Sequence, residues 1–271
     1  MGLKVEWIRY GTEPHLGYFC YPERAAGPLP SVLILQEAWG VDLHIQDVTR
    51  RFALAGYAAF APDLFAKAGE RIPALANERL AEVKAMLDEL PTAWRDDAAR
   101  DAYLAKKTAP ERERIVDSFG VLRGTMGNQA AMLPIVAAAA NWLRLECATT
   151  RGQKVAVLGF CLGGSLSGTL ACKDPQLAAA VVFYGGPPPA DLVPNVHCPV
   201  LGLYGSLDAN VTPQVPAFAS AMKAAGKRFE PVVYEGAQHA FFNDTRPAYH
   251  VGAARDAFAR VLSFLRAELA S

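Results

Sequence analysis

The chain has 271 residues, 52% of them hydrophobic and 20% charged, and its 27 basic side chains balance 27 acidic ones. Zero net charge gives no electrostatic basis for holding nucleic acid or an anionic membrane surface, and the sequence contains no run of about 18 apolar residues that would span a bilayer. A chain of this length buries roughly three-quarters of its unfolded surface and is read as one α/β domain over residues 1–271. The five cysteines (Cys20, Cys147, Cys161, Cys172 and Cys198) have neither a pairing pattern nor zinc spacing. With no apolar leader segment at Met1–Trp7, a reducing cytoplasmic setting is expected, without metal or cofactor.

In chain order, Val5 to Ile8 and Gly17 to Tyr21 predict an opening hairpin, and Ser31 to Leu35 a buried strand. Gln36-Glu37-Ala38-Trp39-Gly40 then leads into a helix from about Leu43 to Ala55. Tyr57 to Ala61 is the next strand, closed by Pro62-Asp63, with Asp63 read as a turn or capping residue. Residues 66–127 form an excursion between strands. Asn77 to Leu90 and Pro110 to Phe119 carry apolar residues at helical spacing among charges, which predicts two surface helices, with a lid or a dimer face as the functional alternative. Asn128 to Leu145 is an apolar helix with Pro134 in its first turns. Ala178 to Tyr184, Val200 to Gly205 and Phe229 to Tyr234 are strands. Pro213 to Ala225 and Tyr249 to Leu269 are helices. Strands alternating with helices predict a doubly wound, mostly parallel sheet flanked by helices.

The segment Lys154 to Cys172 carries the chemistry. An apolar strand ends at Gly159-Phe160-Cys161-Leu162-Gly163-Gly164, and small and apolar residues continue at helical spacing. This is the context of a nucleophile elbow, with a thiol where serine is usual. Glycine two residues to either side removes side chains that would strike the backbone. A phosphate-cradling loop would end in Lys-Ser or Lys-Thr, which is absent here. The helix N-terminus favours a thiolate and a developing oxyanion.

An elbow of this kind requires an acid and then a histidine later in the chain. Asp208 follows the strand at 200–205, and His239 follows the strand at 229–234. Glu235 and Asp244 compete for the acid's role, but only Asp208 has a post-strand loop of its own. His15 and His44 precede the elbow, His197 opens a strand and His250 opens the last helix. Cys161, Asp208 and His239 are therefore expected at the C-terminal sheet edge as nucleophile, acid and base. The N–H groups of Ala38 and Leu162 are assigned to an oxyanion hole. Glu37 is read either as a charge beside the thiol or as a solvated loop carboxylate.

These pieces resemble the dienelactone hydrolase (carboxymethylenebutenolidase) family of α/β-hydrolases. The matching residues are Gln36-Glu37, Ala61-Pro62-Asp63-Leu64, the Gly159–Gly164 elbow, Phe183-Tyr184-Gly185, Tyr204-Gly205 with Asp208, and His239-Ala240-Phe241. The resemblance implies the α/β-hydrolase fold and hydrolysis of a small ester or lactone by a monomer or homodimer. It implies that Glu37 contacts the resting thiol and moves away when substrate binds, and it puts Trp39, Tyr184, Phe241 and Asn243 around the substrate. Well-studied members carry an arginine where this chain has Asn243, and that arginine binds the substrate carboxylate and pairs with the glutamate. Arg71, Arg123 and Arg246 are candidate replacements. Cysteine independently argues for activated leaving groups, because a thiolate is expelled from a tetrahedral intermediate more easily than an unactivated alkoxide. A general esterase or thioesterase, and a ligand-binding or redox-sensing protein, are the alternative readings.

Overall fold

The computed structural model describes residues 2–270. Strands β1 (Leu3–Tyr10) and β2 (His15–Pro22) form an antiparallel hairpin, and β2 also runs antiparallel to β4 (Ala58–Pro62). From β4 the sheet continues in parallel through β3 (Ser31–Leu35), β7 (Val155–Phe160), β8 (Ala179–Phe183), β9 (Val200–Gly205) and β10 (Phe229–Tyr234). The eight-stranded order is β1-β2-β4-β3-β7-β8-β9-β10. The expected sheet is thus present, and its two opening strands supply the antiparallel part.

The central strands β3, β7, β8 and β9 are buried at every position because both sheet faces are covered. Alternate side chains enter different cores. Val32, Ile34, Ala156 and Leu158 pack with helices α1 (Leu43–Leu54) and α8 (Val251–Leu269). Leu33, Leu35, Val155 and Val157 pack with α5 (Gln129–Leu145), α6 (Leu162–Lys173) and α7 (Val215–Ala224). Pro134 is accommodated early in α5, as expected.

The excursion corrects one expectation. It contains the small hairpin β5 (Ala66–Lys67) and β6 (Glu70–Arg71) and three helices, α2 (Asn77–Glu89), α3 (Asp97–Leu104) and α4 (Ala109–Met126). Helix α3 buries only Tyr103 and Leu104, too few positions to show a period, and its start depends on Asp96 accepting from the Ala99 N–H at 3.0 Å. Helix α4 runs beyond Phe119 through Gly120 and Gly124, whose weak helix propensity hides the continuation. These are not merely surface helices. Leu80, Val83, Met86, Leu87, Ile115, Phe119 and Leu122 are buried in the same cluster as Leu35, Ala38 and Trp39. Asp63 serves the same region as a structural anchor, accepting from the Phe65 N–H and from Arg71 Nε at 2.7 Å. Among the described residues no helix is long and apolar enough to cross a membrane.

Candidate active site

Cys161 stands between β7 and α6 at φ 53° and ψ −110°, a conformation that costs a non-glycine residue about 1–3 kcal/mol. Its N–H donates to the Phe183 carbonyl at 2.9 Å, and the Gly163 N–H donates to the Gln36 carbonyl at 3.0 Å, which fixes the turn between β8 and the loop after β3. A Cβ on Gly159 would lie 2.0 Å from the Gly163 carbonyl oxygen, and one on Gly163 would lie 2.3 Å from that of Leu35. The glycines at the elbow are therefore required by backbone contact. Cys161 is the one cysteine of the five that is not buried. Burial pushes the thiol pKa of Cys20 and Cys172 up to about 11 and that of Cys198 up to about 12, so these three remain protonated packing groups.

The loops after β9 and β10 cross, with the Leu207 N–H donating to the Ala237 carbonyl at 2.9 Å. That crossing brings His239 Nδ1 to 2.6 Å from Asp208 Oδ2. The other carboxylate oxygen accepts from the N–H groups of Asn210 and Val211 at 3.0 and 3.1 Å. Burial opposes ionisation of Asp208, but the hydrogen bond and charge of His239 and the two backbone donors hold its pKa below the usual value. Burial likewise opposes charge on His239. The neighbouring Cys161 sulfur and the hydrogen bond and charge of Asp208 outweigh this and push the imidazole up to about 10. With Nδ1 turned to Asp208, Nε2 is the nitrogen left for the sulfur. The competitors take other roles. Glu235 is exposed, Asp244 pairs with Arg51 and His44, and the His250 ring caps α8.

Glu37 is buried at 3% exposure, so it is not a solvated loop residue. Its Oε1 accepts from the Tyr184 hydroxyl at 3.0 Å and its Oε2 from Asn243 Nδ2 at 2.7 Å. Among the described hydrogen bonds none joins the Cys161 sulfur to Glu37 or to His239, and the sulfur's influence on the imidazole is seen in the direction of the histidine's shift. The carboxylate's hydrogen-bond partners are Tyr184 and Asn243, and it shares a cavity with the thiol.

Cys161 and His239 open into a cavity of about 400 Å³ lined by Glu37, Ala38, Trp39, Asn210 and Ala240, with Leu87, Pro91, Trp94, Arg95 and Met126 from the excursion and Arg246 beyond β10. Trp39 thus faces the space as expected. Tyr184, Phe241 and Asn243 do not line it. Each is fully buried, the tyrosine and asparagine holding Glu37 and the phenylalanine packed against Tyr184 and Tyr234. Arg71 is spent on Asp63 and Asn77, and Arg123 lies over Phe119. Arg246 reaches the cavity, stacked 5.1 Å from the Trp39 ring centre and paired with Asp88 at 2.6 Å. Arg95 and Trp94 were not singled out from sequence. They sit in a short turn whose lack of periodicity conceals that it overhangs the strand ends. Among the described residues no cluster of His, Cys, Asp and Glu side chains has the makings of a metal site.

The geometry can support attack by a sulfur nucleophile with an adjacent, acid-oriented imidazole. The dienelactone hydrolase family profile matches residues 16–269. A candidate carboxymethylenebutenolidase of Escherichia coli O157:H7 is 32% identical over 260 residues, covering 92% of this chain and 81% of that one. One of Saccharolobus solfataricus is 31% identical over 241 residues, covering 88% and 90%. The crystal structure of a candidate dienelactone hydrolase from Klebsiella pneumoniae superposes with a TM-score of 0.70 at 28% identity, covering 97% of this chain and 98% of that one. A profile that spans the elbow, the acid and the histidine, and relatives that match across most of both chains, lead to one assignment: the protein belongs to the dienelactone hydrolase family.

Proposed function

We propose that this carboxylic ester hydrolase, of the carboxymethylenebutenolidase type, cleaves an activated ester or lactone through a thioester on Cys161, with His239 as acid and base and Asp208 as the group that orients it. The observation that carries the reading is an imidazole fixed by Asp208 at 2.6 Å that opens into the same cavity as the sulfur of a strained residue at a helix N-terminus.

The Cys161 thiolate forms the C–S bond at the carbonyl carbon, and the carbonyl electron pair moves to oxygen. The N–H groups of Ala38 and Leu162 receive that oxyanion; neither has a protein acceptor among the described hydrogen bonds. When the intermediate collapses, the C–O bond breaks and the His239 imidazolium protonates the departing oxygen. The neutral imidazole then takes a proton from water, whose oxygen attacks the thioester and releases the thiolate. A stabilised enolate or aryloxide leaving group suits a sulfur nucleophile, as the sulfur is otherwise the better leaving group. A purely ligand-binding or redox role would give Asp208 and its two backbone donors no task.

Cys161→Ala is expected to abolish hydrolysis of aryl esters and dienelactones while the protein keeps its fold, since the thiol is only half-buried. Cys161→Ser is expected to retain the fold and hydrolyse weakly. Steady-state rates with both variants test this, and wild-type activity in Cys161→Ala would remove the nucleophile.

A further inference from the structure

We propose that Lys84 and Thr245 are positioning residues for Glu37, acting through a one-way chain of hydrogen bonds that ties the helical excursion to the site. The inference rests on the reading of Cys161 as the reactive thiol.

The chain begins on α2, where Lys84 Nζ donates to Thr245 Oγ1 at 2.7 Å. Thr245 Oγ1 and the Thr245 N–H both donate to Asn243 Oδ1, at 2.7 and 3.0 Å. Asn243 Nδ2 then donates to Glu37 Oε2 at 2.7 Å. The end groups fix each direction. An ammonium has only protons to give, so the threonine hydroxyl accepts from it and spends its own proton on Asn243. A backbone N–H can only donate, so it too holds the amide oxygen on the Thr245 side. The amide NH2 is thereby forced onto the carboxylate, which as an anion can only accept. A cation at one end and an anion at the other polarise every link in the same sense.

A buried carboxylate needs such support, as a charge out of water is costly unless hydrogen-bonded. Glu37 has no cation in direct contact among the described residues; its two partners are the neutral Tyr184 and Asn243. The hydrogen-bonded route from a cation to Glu37 runs through Asn243. Lys84 is well placed for this, its side chain only 16% exposed, although Thr245 itself is exposed. Arg246, next to Thr245, pairs with Asp88 one turn along α2, so the same helix holds this loop at two points. The other titratable or charged groups around Glu37 are Tyr184, Asp42 with His44 and Lys84 beyond it, Cys161, His239 and Arg246. Lys84 also approaches Asp42 at 3.8 Å, a second route by which it could act.

The test is the rate of iodoacetamide alkylation at Cys161 against pH, read on the modified peptide, together with kcat and KM on an aryl ester. Lys84→Met and Thr245→Val are both expected to weaken the hold of Asn243 on the carboxylate and let it shift toward the thiol, while the Thr245 N–H and the Tyr184 hydroxyl keep their own bonds. The carboxylate's charge there disfavours the thiolate. Alkylation at neutral pH should fall about threefold to tenfold, the profile should move to higher pH, and kcat should fall while KM holds. Thr245→Ser should restore the wild-type profile. Unchanged profiles in both variants, even with lowered melting temperatures, would reduce the contacts to a structural latch and overturn the proposal. A shift in Lys84→Met alone would assign the effect to Asp42 and overturn the chain through Thr245. If Cys161→Ala remains active, the hydrolytic reading fails instead. A dead Cys161→Ala with unmoved alkylation profiles would sink only the chain.

Discussion

His239 holds its proton through Asp208 and the Cys161 sulfur beside it, and each can be removed separately. Asp208→Asn keeps the shape and loses the charge, so the imidazole pKa should fall from about 10 toward its ordinary value. With the imidazolium proposed as the acid that protonates the leaving oxygen, the alkaline limb of kcat/KM should move to lower pH, with kcat reduced about a hundredfold or more. A pH–rate profile on the variant checks both. If Glu235→Gln did this damage and Asp208→Asn did not, the acid would be misassigned. A raised folded-state histidine pKa also stabilises the fold below about pH 6.5 and loses that contribution as pH climbs through about 10. Thermal stability should therefore decline over this alkaline range in the wild type and decline less in Asp208→Asn. The cavity's cations carry a specificity prediction. Arg246 is already offset by Asp88, whereas Arg95 has no ion-pair partner among the described residues. A dienelactone acid should be preferred to its methyl ester, and Arg95→Gln should reduce that preference by about fivefold or less, the scale of an exposed ion pair. No change in the ratio would exclude Arg95 from carboxylate recognition.

Elements position these groups, and the elbow is the least forgiving of them. Gly163→Ala would press a Cβ to 2.3 Å from the Leu35 carbonyl oxygen and 2.6 Å from that of Gln36. Strand β3 or helix α6 would have to move, with loss of about 3 kcal/mol or more and of the oxyanion donors beside Cys161. Chemical denaturation measures the first and hydrolysis the second. Residue pattern made this part of the molecule legible. Buried parallel strands are continuous apolar runs, their glycine-terminated ends mark the site, and chain order orders Cys161, Asp208 and His239. What could not be read was contact between segments distant in sequence. Nothing local in Asn243 or Tyr184 says that their polar atoms converge on Glu37 from 206 and 147 residues away. Nothing local in Trp94 or Arg95 says that a short turn between two helices roofs the cavity. Helix α3 was missed for the same reason, as two buried residues set no period.

At the scale of the molecule, a two-faced sheet presents a strained thiol, an oriented imidazole and a buried carboxylate along one edge, and the helical excursion supplies one side of the cavity wall. In the proposed reaction the carbonyl carbon passes through a covalent bond to Cys161 sulfur. That step is tested most directly by quenching the enzyme in acid during turnover of an aryl ester and measuring the mass of the Cys161 peptide. A peptide heavier by the acyl group is expected, absent in Cys161→Ala, and longer-lived when Asp208→Asn slows the attack of water. Turnover with no acyl mass on Cys161 at any quench time, or an acyl group on another residue, would contradict it.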